Sequence, residues 1–414
     1  MPVSSRQTAI LLILTVLSFL QPVEAKTWTL TVDAGDFRRV NVPVLWTEMP
    51  GIPAGSHLRL YLVESREETF VPSQRIVSDT GNELAFVLRG EMHPGTTRTY
   101  RAKVSERSFG DPKSKPVVCA DDGATLKFSY RDKSIVQYNY AVVAPPKGVG
   151  PEYARSGYLS PIWNPRQDVI SNDFPAKHLH HHGIWFPHTA TTFEGRKVDF
   201  WNSGLKQGRV EVTRILEHAG GPVFGHVRAE HRFVDMTAPG GEKTALHERW
   251  TVRVYALDNY FLFDLVSIQS CATDTPLVLN PLHYGGLGFR GSGEWEGNGD
   301  RCKFLTSEGI SDRIRSHKTR AKWCDVGGLV NGKPTGMTIL CHPGNFRFPQ
   351  NMRVHPKEPF FCFAPCQLGE FKIEPGKPYV SRYRFYVHDG PANADESERL
   401  WNDFAHPPTI RQTR

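Results

Sequence analysis

The amino-acid sequence predicts an all-β protein with a small N-terminal β-sandwich, a large antiparallel β-supersandwich and one short C-terminal helix. Short runs of alternating or continuous apolar residues recur along the chain, and glycine, proline or polar turn residues bound each run. Helical spacing of apolar residues is convincing in one segment only, which argues against α/β folds because their parallel strands need intervening helices. The 414 residues exceed one typical domain.

The N-terminal β-sandwich is predicted over residues 26–105. Four strand-like runs indicate it, which are Thr27–Val32, Leu58–Val63, Glu83–Leu88 and Thr99–Val104. Residues 106–116 are rich in charged residues, glycine and proline and have no periodic apolar pattern. They are the predicted linker to a second domain.

The second domain is predicted over residues 117–414 as the β-supersandwich. Its clearest strands are Leu126–Tyr130, Ile135–Val143, Val210–Leu216, Val223–Val234, Ala245–Tyr255, Tyr260–Ile268, Met337–Cys341 and Tyr379–His388. So many strands without intervening helices indicate two stacked sheets. A helix is predicted over Asp395–Ala405, because Leu400, Trp401 and Phe404 fall on one side of it.

Residues 1–25 have the pattern of a secretory signal peptide. Arg6 precedes the apolar segment Ala9–Leu20, and Val23-Glu24-Ala25 forms a small-residue cleavage site. We therefore expect a secreted or periplasmic protein. No other segment approaches the ~18 apolar residues that a membrane-spanning helix requires, so no membrane span is expected.

Charge and cysteine content limit the partners further. The formal net charge is +7, but no basic run or basic motif with interleaved aromatics is present, so nucleic acid is not an expected partner. The basic excess is compatible with an acidic glycan. Seven cysteines could oxidise after export, and Cys302 with Cys324 or Cys362 with Cys366 are conceivable pairs. Most of them are expected to be small buried apolar residues.

The main candidate site is a histidine cluster over residues 178–188. His178, His180, His181, His182 and His188 fall within eleven residues. Imidazole titrates near neutrality and serves as general acid or base, metal ligand or hydrogen-bond donor. If this segment is a strand, His178, His180 and His182 line one face. We predict His180 and His182 as catalytic residues and the other three as substrate-binding residues, although hydrogen-bonded structural histidines remain an alternative.

Aromatic and charged residues near the cluster are further candidates for substrate binding. Trp185, Asp199 and Trp201 follow it closely and could supply stacking planes and a carboxylate, or could cap and pack a strand. Arg290 lies next to the end of the glycine-rich segment Tyr284–Gly291, which predicts a tight turn beside a site. Arg290 could neutralise a carboxylate or sulfate, or lie on the surface.

Two more residues are predicted to be catalytic. Glu248 alternates in phase with Leu246 and Trp250, so it points toward the apolar side of its strand, where burial raises the pKa of a carboxyl that has no partner. A structural ion pair between sheets is the alternative. His283 ends a predicted strand beside Tyr284 and is a second acid/base candidate.

Motifs of several hydrolase classes are absent from the sequence. It contains no G-x-S-x-G elbow of a serine hydrolase and no H-E-x-x-H zinc motif. No cofactor is expected. A metal site made of His180, His182 and Asp199 stays open as an alternative, because two histidines and one carboxylate form a common metal triad.

Several motifs together resemble a known bacterial family. They are the run His180-His181-His182-Gly183-Ile184-Trp185, the run Val198-Asp199-Phe200-Trp201, and the segments Tyr284–Arg290, His342–Asn345 and Arg382–Gly390. In these motifs the sequence resembles the PmoA-like family, a domain of unknown function often labelled "methane oxygenase PmoA". That label implies a membrane copper enzyme, which a sequence without membrane-spanning helices does not support. The strand pattern is also similar to that of galactose-mutarotase-like supersandwich proteins.

The second similarity implies activity on carbohydrate. In mutarotase-like proteins a histidine acid and a carboxylate base act on a sugar, and lyases and hydrolases share the scaffold. The resulting hypothesis is a secreted carbohydrate-active enzyme, a glycan hydrolase, lyase or epimerase that uses histidine and carboxylate acid-base chemistry. A non-catalytic glycan-binding module and a metal-dependent oxidase or oxygenase are the alternatives. The expected partner is a glycan, and the sequence does not define an oligomeric state.

Overall fold

The structure is a computed structural model, and it describes residues 26–49, 52, 56–78, 81–105, 116–297 and 299–413. The predicted signal peptide, residues 1–25, lies outside the described residues. So does the predicted linker, apart from Pro116.

The N-terminal strands form two antiparallel sheets. The strands are β1 (Thr27–Asp33), β2 (Arg39–Met49), β3 (His57–Glu64), β4 (Glu67–Val71), β5 (Ser73–Ser78), β6 (Gly81–Met92) and β7 (Thr97–Ser105). One sheet has the order β1-β7-β3-β4 and the other the order β2-β6-β5. Alternate residues of both sheets are buried in one shared core that includes Leu30, Trp46 and Phe86, as expected of a sandwich.

The remaining strands, apart from the last one, form three more antiparallel sheets. The strands are β8 (Val117–Asp121), β9 (Thr125–Tyr130), β10 (Lys133–Asn139), β11 (Tyr158–Ile162), β12 (Ile184–Trp185), β13 (Thr191–Phe193), β14 (Arg196–Val198), β15 (Gly208–Ala219), β16 (Phe224–Asp235), β17 (Lys243–Tyr255), β18 (Phe261–Cys271), β19 (Leu277–Leu279), β20 (Leu287–Arg290), β21 (Lys303–Thr306), β22 (Trp323–Val330), β23 (Lys333–Cys341), β24 (Met352–Val354), β25 (Phe360–Phe363), β26 (Phe371–Ile373), β27 (Tyr379–Asp389) and β28 (Thr409–Thr413).

Two eight-stranded sheets make up the large sandwich. The front sheet has the order β24-β25-β20-β12-β11-β10-β9-β8, and the back sheet has the order β15-β16-β17-β18-β27-β23-β22-β21. Both contribute to one apolar core, with Phe128 and Phe361 from the front sheet and Trp250 and Phe263 from the back sheet. A small sheet, β14-β13-β19-β26, lies beside them. The prediction of an all-β fold is confirmed.

The last strand returns to the N-terminal sandwich. β28 pairs with β1, so residues 409–413, which were assigned by sequence to the second domain, complete a five-stranded N-terminal sheet. The return is anchored by Arg39, whose Nη1 donates to Asp403 Oδ1 at 2.9 Å with both side chains buried. Removal of one partner of such a buried pair strongly destabilises a protein, because the other charge is left buried without a partner.

Helices are few in the described part of the chain. α1 (Arg313–Ser316) is one turn long, α2 (Ala394–Ala405) confirms the predicted C-terminal helix, and four short 3-10 turns complete the set. The side chain of Asn393 accepts from the backbone N–H of Glu396 and caps α2, which then buries Leu400 and Trp401 against the back sheet and the N-terminal sandwich. None of the described helices is long and apolar enough to cross a membrane.

All seven cysteines are free thiols, so the conceivable pairs Cys302 with Cys324 and Cys362 with Cys366 are not formed. These four side chains are buried. Burial raises the pKa of the thiols of Cys302 and Cys362 to about 12, which keeps them protonated. They act as small apolar residues, as most of the cysteines were expected to do.

Candidate functional site

The histidine cluster forms a compact turn, and the hypothesis that it is a strand is wrong. Only β12, which follows it, has strand structure. The backbone N–H of His181 donates to the carbonyl oxygen of His178 at 2.8 Å. The turn packs directly on β11, because a Cβ added to Gly183 would lie 2.2 Å from the carbonyl oxygen of Leu159. Instead of lining one face alternately, the imidazoles gather at the tip of the turn.

The rings of the turn contact one another. His178 and His181 stack with centroids 4.7 Å apart and planes 11° apart. The ring of His180 stands edge-on to both, at 5.8 Å from His178 and 4.8 Å from His181. The structure therefore brings together three of the predicted site residues, His178, His180 and His181, but it does so through a turn and not through the predicted strand.

His182 is held in a separate hydrogen-bonded series. Its Nδ1 lies 2.5 Å from Asp173 Oδ1, and the hydroxyl of Tyr158 donates to Asp173 Oδ2 at 2.7 Å. The ring is packed between Tyr158 and Phe174 and is almost fully buried. An ionised carboxylate only accepts, so Nδ1 bears the proton and Nε2 is left as the basic atom. Burial lowers the pKa of His182, which opposes the effect of Asp173.

His180 is half-buried and has no hydrogen-bond partner among the described residues. Burial, followed by the neighbouring His178, His182, Arg155 and Arg290, lowers its pKa to about 3. The ring is therefore neutral at pH 7, with one nitrogen able to donate and the other able to accept.

Arg290 supports the turn from inside the protein. It is fully buried and ends β20, where Nη1 donates to Glu358 Oε2 at 2.6 Å and Nη2 donates to Glu296. Glu358 also lies 2.8 Å from His178 Nδ1. Burial raises the pKa of Glu358, but its close contact with His178 and the hydrogen bond from Arg290 prevail and hold the pKa at about 2. Arg290 was predicted to meet a substrate anion, yet its charge is already neutralised by two carboxylates.

Trp185 and Trp201 form an apolar floor beneath the turn. Both are 0 % exposed, and their ring centroids are 4.8 Å apart. The ring of His181 rests against them at 5.0 Å from Trp185 and 6.0 Å from Trp201. They were predicted to position a sugar ring, but neither offers an open face, because the turn covers them.

Glu248 belongs to a different buried network, between the two sheets. Its Oε2 accepts from His231 Nδ1 at 2.9 Å, and its Oε1 accepts from Ser267 at 2.5 Å and from Gln269 at 2.8 Å. His231 and Glu248 face each other on β16 and β17, and the hydroxyl of Tyr138 on the front sheet lies 2.6 Å from His231 Nε2.

Burial favours a raised pKa for Glu248, but its hydrogen bond and charge interaction with His231 lower the pKa below its ordinary value. His188 joins this network, because its Nε2 lies 2.6 Å from the side-chain oxygen of Gln269. In the described part of the chain, no hydrogen bond joins the Glu248 network to the hydrogen-bonded series of His182 and Asp173. Glu248 and His188, predicted as catalytic and substrate-binding residues, are thus engaged in the structural pairing that was the alternative.

Asp199 caps a local turn. Its Oδ1 accepts from the backbone N–H groups of Trp201 and Asn202 at 2.8 Å each, and its Oδ2 accepts from Thr189 and from the side chain of Asn202. Both oxygens are occupied, which is the capping alternative to the predicted ligand role. The metal triad of His180, His182 and Asp199 is not assembled: in the described ranges no group of three or more His, Cys, Asp or Glu side chains is arranged to hold a metal ion.

His283 lies on an exposed rim beside the turn. The basic rim, as we call it, consists of His283, His317, Lys318, Arg353 and His355. His283 and His317 have ring centroids 6.4 Å apart, and Arg353 Nη1 lies 3.2 Å from His317 Nε2. Burial and the charges of Arg353 and Lys318 lower the pKa of His283 and bring that of His317 to about 4. The rim reaches the histidine turn, because the rings of His355 and His178 are 6.0 Å apart.

Sequence analysis missed the residues that orient the histidines. Asp173 and Glu358 hold His182 and His178 but lie nine and 180 residues away in sequence, with no local motif around them. Arg155 was missed as well: it is 7 % exposed, and among the described residues it has neither a hydrogen-bond acceptor nor a salt-bridge partner. Burial lowers its pKa to about 10. A charged residue after the glycine- and proline-rich segment 145–151 was the one available signal.

A cavity of about 630 Å³ lies elsewhere. It is lined by β21, β22, β23 and the segment before α2, with Leu329, Phe304 and Pro391 among its apolar residues. None of the histidines lines it. We place the candidate site at the turn and the rim, because the groups able to transfer protons are gathered there.

Comparison with protein families gives one match. A family model described as a family of unknown function, DUF6807, matches residues 125–402, which is two thirds of the chain. No curated protein matches the chain. The resemblance to the PmoA-like family is wrong, since the motifs that suggested it all lie within the range matched by DUF6807. The matched range contains the histidine turn, the Glu248 network and the basic rim.

Proposed function

We propose a function from the residues themselves, because the chain belongs to DUF6807, a family of unknown function. The protein is proposed to be a carbohydrate-active enzyme in which imidazoles transfer protons to and from a sugar. The signal-peptide pattern of residues 1–25 supports a proposed location outside the cytoplasm, in the periplasm or the medium.

The observation that favours this proposal most is the orientation of His182 by Asp173. A carboxylate at Nδ1 fixes the tautomer of an imidazole, directs Nε2 and stabilises the imidazolium that forms when the ring takes a proton. Tyr158 donates to the other oxygen of Asp173 and fixes the carboxylate in turn. We assign His182 as the general base.

His180 is proposed as the partner of His182. Its neutral ring lacks hydrogen-bond partners among the described residues, so it can donate a hydrogen bond to a sugar hydroxyl, and once protonated it can act as the acid toward a departing oxygen. A bound substrate that brings negative charge close to the ring raises the pKa of His180, because it offsets the neighbouring positive groups that help to lower it.

Elimination or epimerisation is favoured over hydrolysis because the carboxylates beside the turn already have hydrogen-bond partners. Retaining and inverting hydrolases use two carboxyl groups across the scissile bond. The carboxylates next to the turn are already engaged, Asp173 by His182 and Tyr158, and Glu358 and Glu296 by Arg290. Both remaining reactions begin with removal of a proton from carbon, and His182 is the base that we propose accepts it.

The test compares His182→Ala with His247→Ala. His247 is an exposed histidine on β17 and is the matched control. The purified protein is screened on polysaccharides and oligosaccharides for new reducing ends, for absorbance of an unsaturated product and for solvent deuterium incorporation. We expect H182A to lower kcat by about 100-fold or more while sugar binding persists, because a general base contributes about 10²–10⁴, and H247A to match the wild type.

The result contrary to this proposal is binding without turnover. If H182A and H180A weaken affinity for a sugar and no preparation converts it, the protein is a glycan-binding module. If H182A has unchanged kcat on a converted sugar, the assignment of the base is wrong.

A further inference from the structure

The basic rim combines two cations with three imidazoles and has no carboxylate of its own. Arg353 is half-buried on β24, and its side chain has no salt-bridge partner among the described residues, its one hydrogen-bond contact being His317. Lys318 likewise lacks an ion-pair partner in the described chain. Glu358, the nearest carboxylate, is engaged by Arg290 and His178. The positive charge of the rim therefore has no ion-pair partner among the described residues.

Backbone contacts fix the direction in which His355 can donate. Its Nδ1 accepts from the backbone N–H groups of Lys357 at 3.3 Å and Glu358 at 3.0 Å. With Nδ1 occupied as an acceptor, the proton of the neutral ring is on Nε2. Burial and the charge of Arg353 bring the pKa of His355 to about 4, so the ring stays neutral and donates one hydrogen bond. The rim thus presents donors of three kinds, a guanidinium, an ammonium and an imidazole N–H.

The rim is continuous with the proposed catalytic turn. His355 lies beside His178, and at the other end His283 packs against Tyr284 with ring centroids 5.0 Å apart. Tyr284 in turn contacts Trp201 of the apolar floor at 5.5 Å. A sugar bound at the turn would therefore extend across the rim.

We propose that the basic rim is the subsite for an anionic substituent of the glycan, a carboxylate or a sulfate ester, with Arg353 and Lys318 as its principal ligands. This inference rests on the proposed function, since it takes the ligand to be a carbohydrate. Guanidinium binds planar carboxylates and sulfate oxygens through two parallel hydrogen bonds, and Lys318 adds a mobile charge. The substrate class is accordingly acidic polysaccharide, either uronate-containing or sulfated.

The test measures binding by calorimetry to three oligosaccharides of equal length. One contains uronic acids, the second is its carboxyl-reduced neutral form, and the third is sulfated. The proteins are the wild type, the double variant Arg353→Gln/Lys318→Gln, and the control Lys333→Gln, which alters an exposed lysine at the start of β23. Circular dichroism melting checks that all three fold alike.

We expect the wild type to bind at least one anionic oligosaccharide about tenfold or more tightly than the neutral form. A tenfold difference in affinity corresponds to about 1.4 kcal/mol, which one charge-assisted hydrogen bond can supply. The preference is lost in R353Q/K318Q and kept in K333Q. The anionic oligosaccharide that shows the preference identifies the bound substituent as a uronate carboxylate or a sulfate ester. High salt weakens the preferred probe more than the neutral one.

Three results overturn the proposal: no preference for either anionic probe, a preference that survives in R353Q/K318Q, or an equal loss in K333Q. Failure of the proposed function looks different. If the anionic preference depends on Arg353 and Lys318 but H182A converts sugar as fast as the wild type, the subsite stands and the catalytic assignment falls.

Discussion

Replacement of Glu248 by alanine separates a structural role from a catalytic one. In the structure this carboxylate accepts from His231, Ser267 and Gln269, and all four side chains are buried. Glu248→Ala leaves three buried donors without their acceptor. The Ser267 hydroxyl can rotate toward another acceptor, but the Nε2 of Gln269 cannot use its contact with His188, which is made through Oε1, so the main cost falls on His231 and Gln269.

The expected loss in the free energy of unfolding is about 3–5 kcal/mol, as for removal of one partner from a buried pair. Glu248→Gln keeps an acceptor for Ser267 and Gln269 and lets His231 switch tautomer, so it should cost only about 1–3 kcal/mol. The lowered pKa of Glu248 gives a pH dependence as well. Its contribution is fully present above the unfolded carboxyl pKa and is lost as pH falls through the lower folded pKa.

Urea unfolding followed by tryptophan fluorescence reports on this region, because the ring of Trp250 is 5.0 Å from that of His231. Glu230→Gln is the matched control, since Glu230 lies next to His231 on β16 and pairs at the surface with Arg214. It should cost less than about 1 kcal/mol. If E248A unfolds at the same urea concentration as the wild type but abolishes turnover, the structural assignment is refuted and Glu248 is catalytic.

Two further predictions concern other histidine pairs. Asp173→Asn should lower kcat by about 10²–10⁴ with sugar affinity little changed, because the amide no longer fixes the His182 tautomer; an unchanged kcat on a converted sugar would count against the orientation argument. His388 is buried 2.8 Å from Asp325, and although burial opposes it, the interaction with Asp325 raises the pKa of His388. The stability that this pair adds is fully present below the unfolded histidine pKa and is lost as pH rises through the folded pKa. Urea titrations of His388→Gln and wild type should therefore differ by about 1–3 kcal/mol at pH 6 and by less at alkaline pH; a gap that widens with pH would contradict this.

Much of the fold could be predicted from the sequence because its long strands are amphipathic or wholly apolar. β16, β17, β18 and β27 fall where period-two patterns indicated them. The pairing of β28 with β1 could not be foreseen, since a five-residue C-terminal run has no pattern that selects its partner strand. Sheet order across distant strands is set by tertiary packing.

The site was predictable by residue type but not by arrangement. The density of imidazoles identified the turn, and the phase of Glu248 correctly placed it on the buried face of β17. Whether a buried carboxylate is free depends on its neighbours. His231 faces Glu248 from β16, and the residue pattern of β16 did not predict this contact. The turn itself depends on Gly183 packing against β11, a contact between residues that lie far apart in sequence.

The position of the aromatic rings bears on the choice between an enzyme and a binding module. A non-catalytic sugar site generally needs an exposed aromatic plane, because stacking on the apolar face of a sugar supplies much of its affinity. Here Trp185 and Trp201 are buried under the turn, and the outward groups are His178 and His180. Burial beside the tryptophan floor lowers the pKa of His180 and keeps its ring neutral, with one nitrogen able to donate and the other able to accept, which adds nothing to stacking. The burial of the aromatics therefore favours catalysis at the turn, with affinity supplied by the charges of the rim.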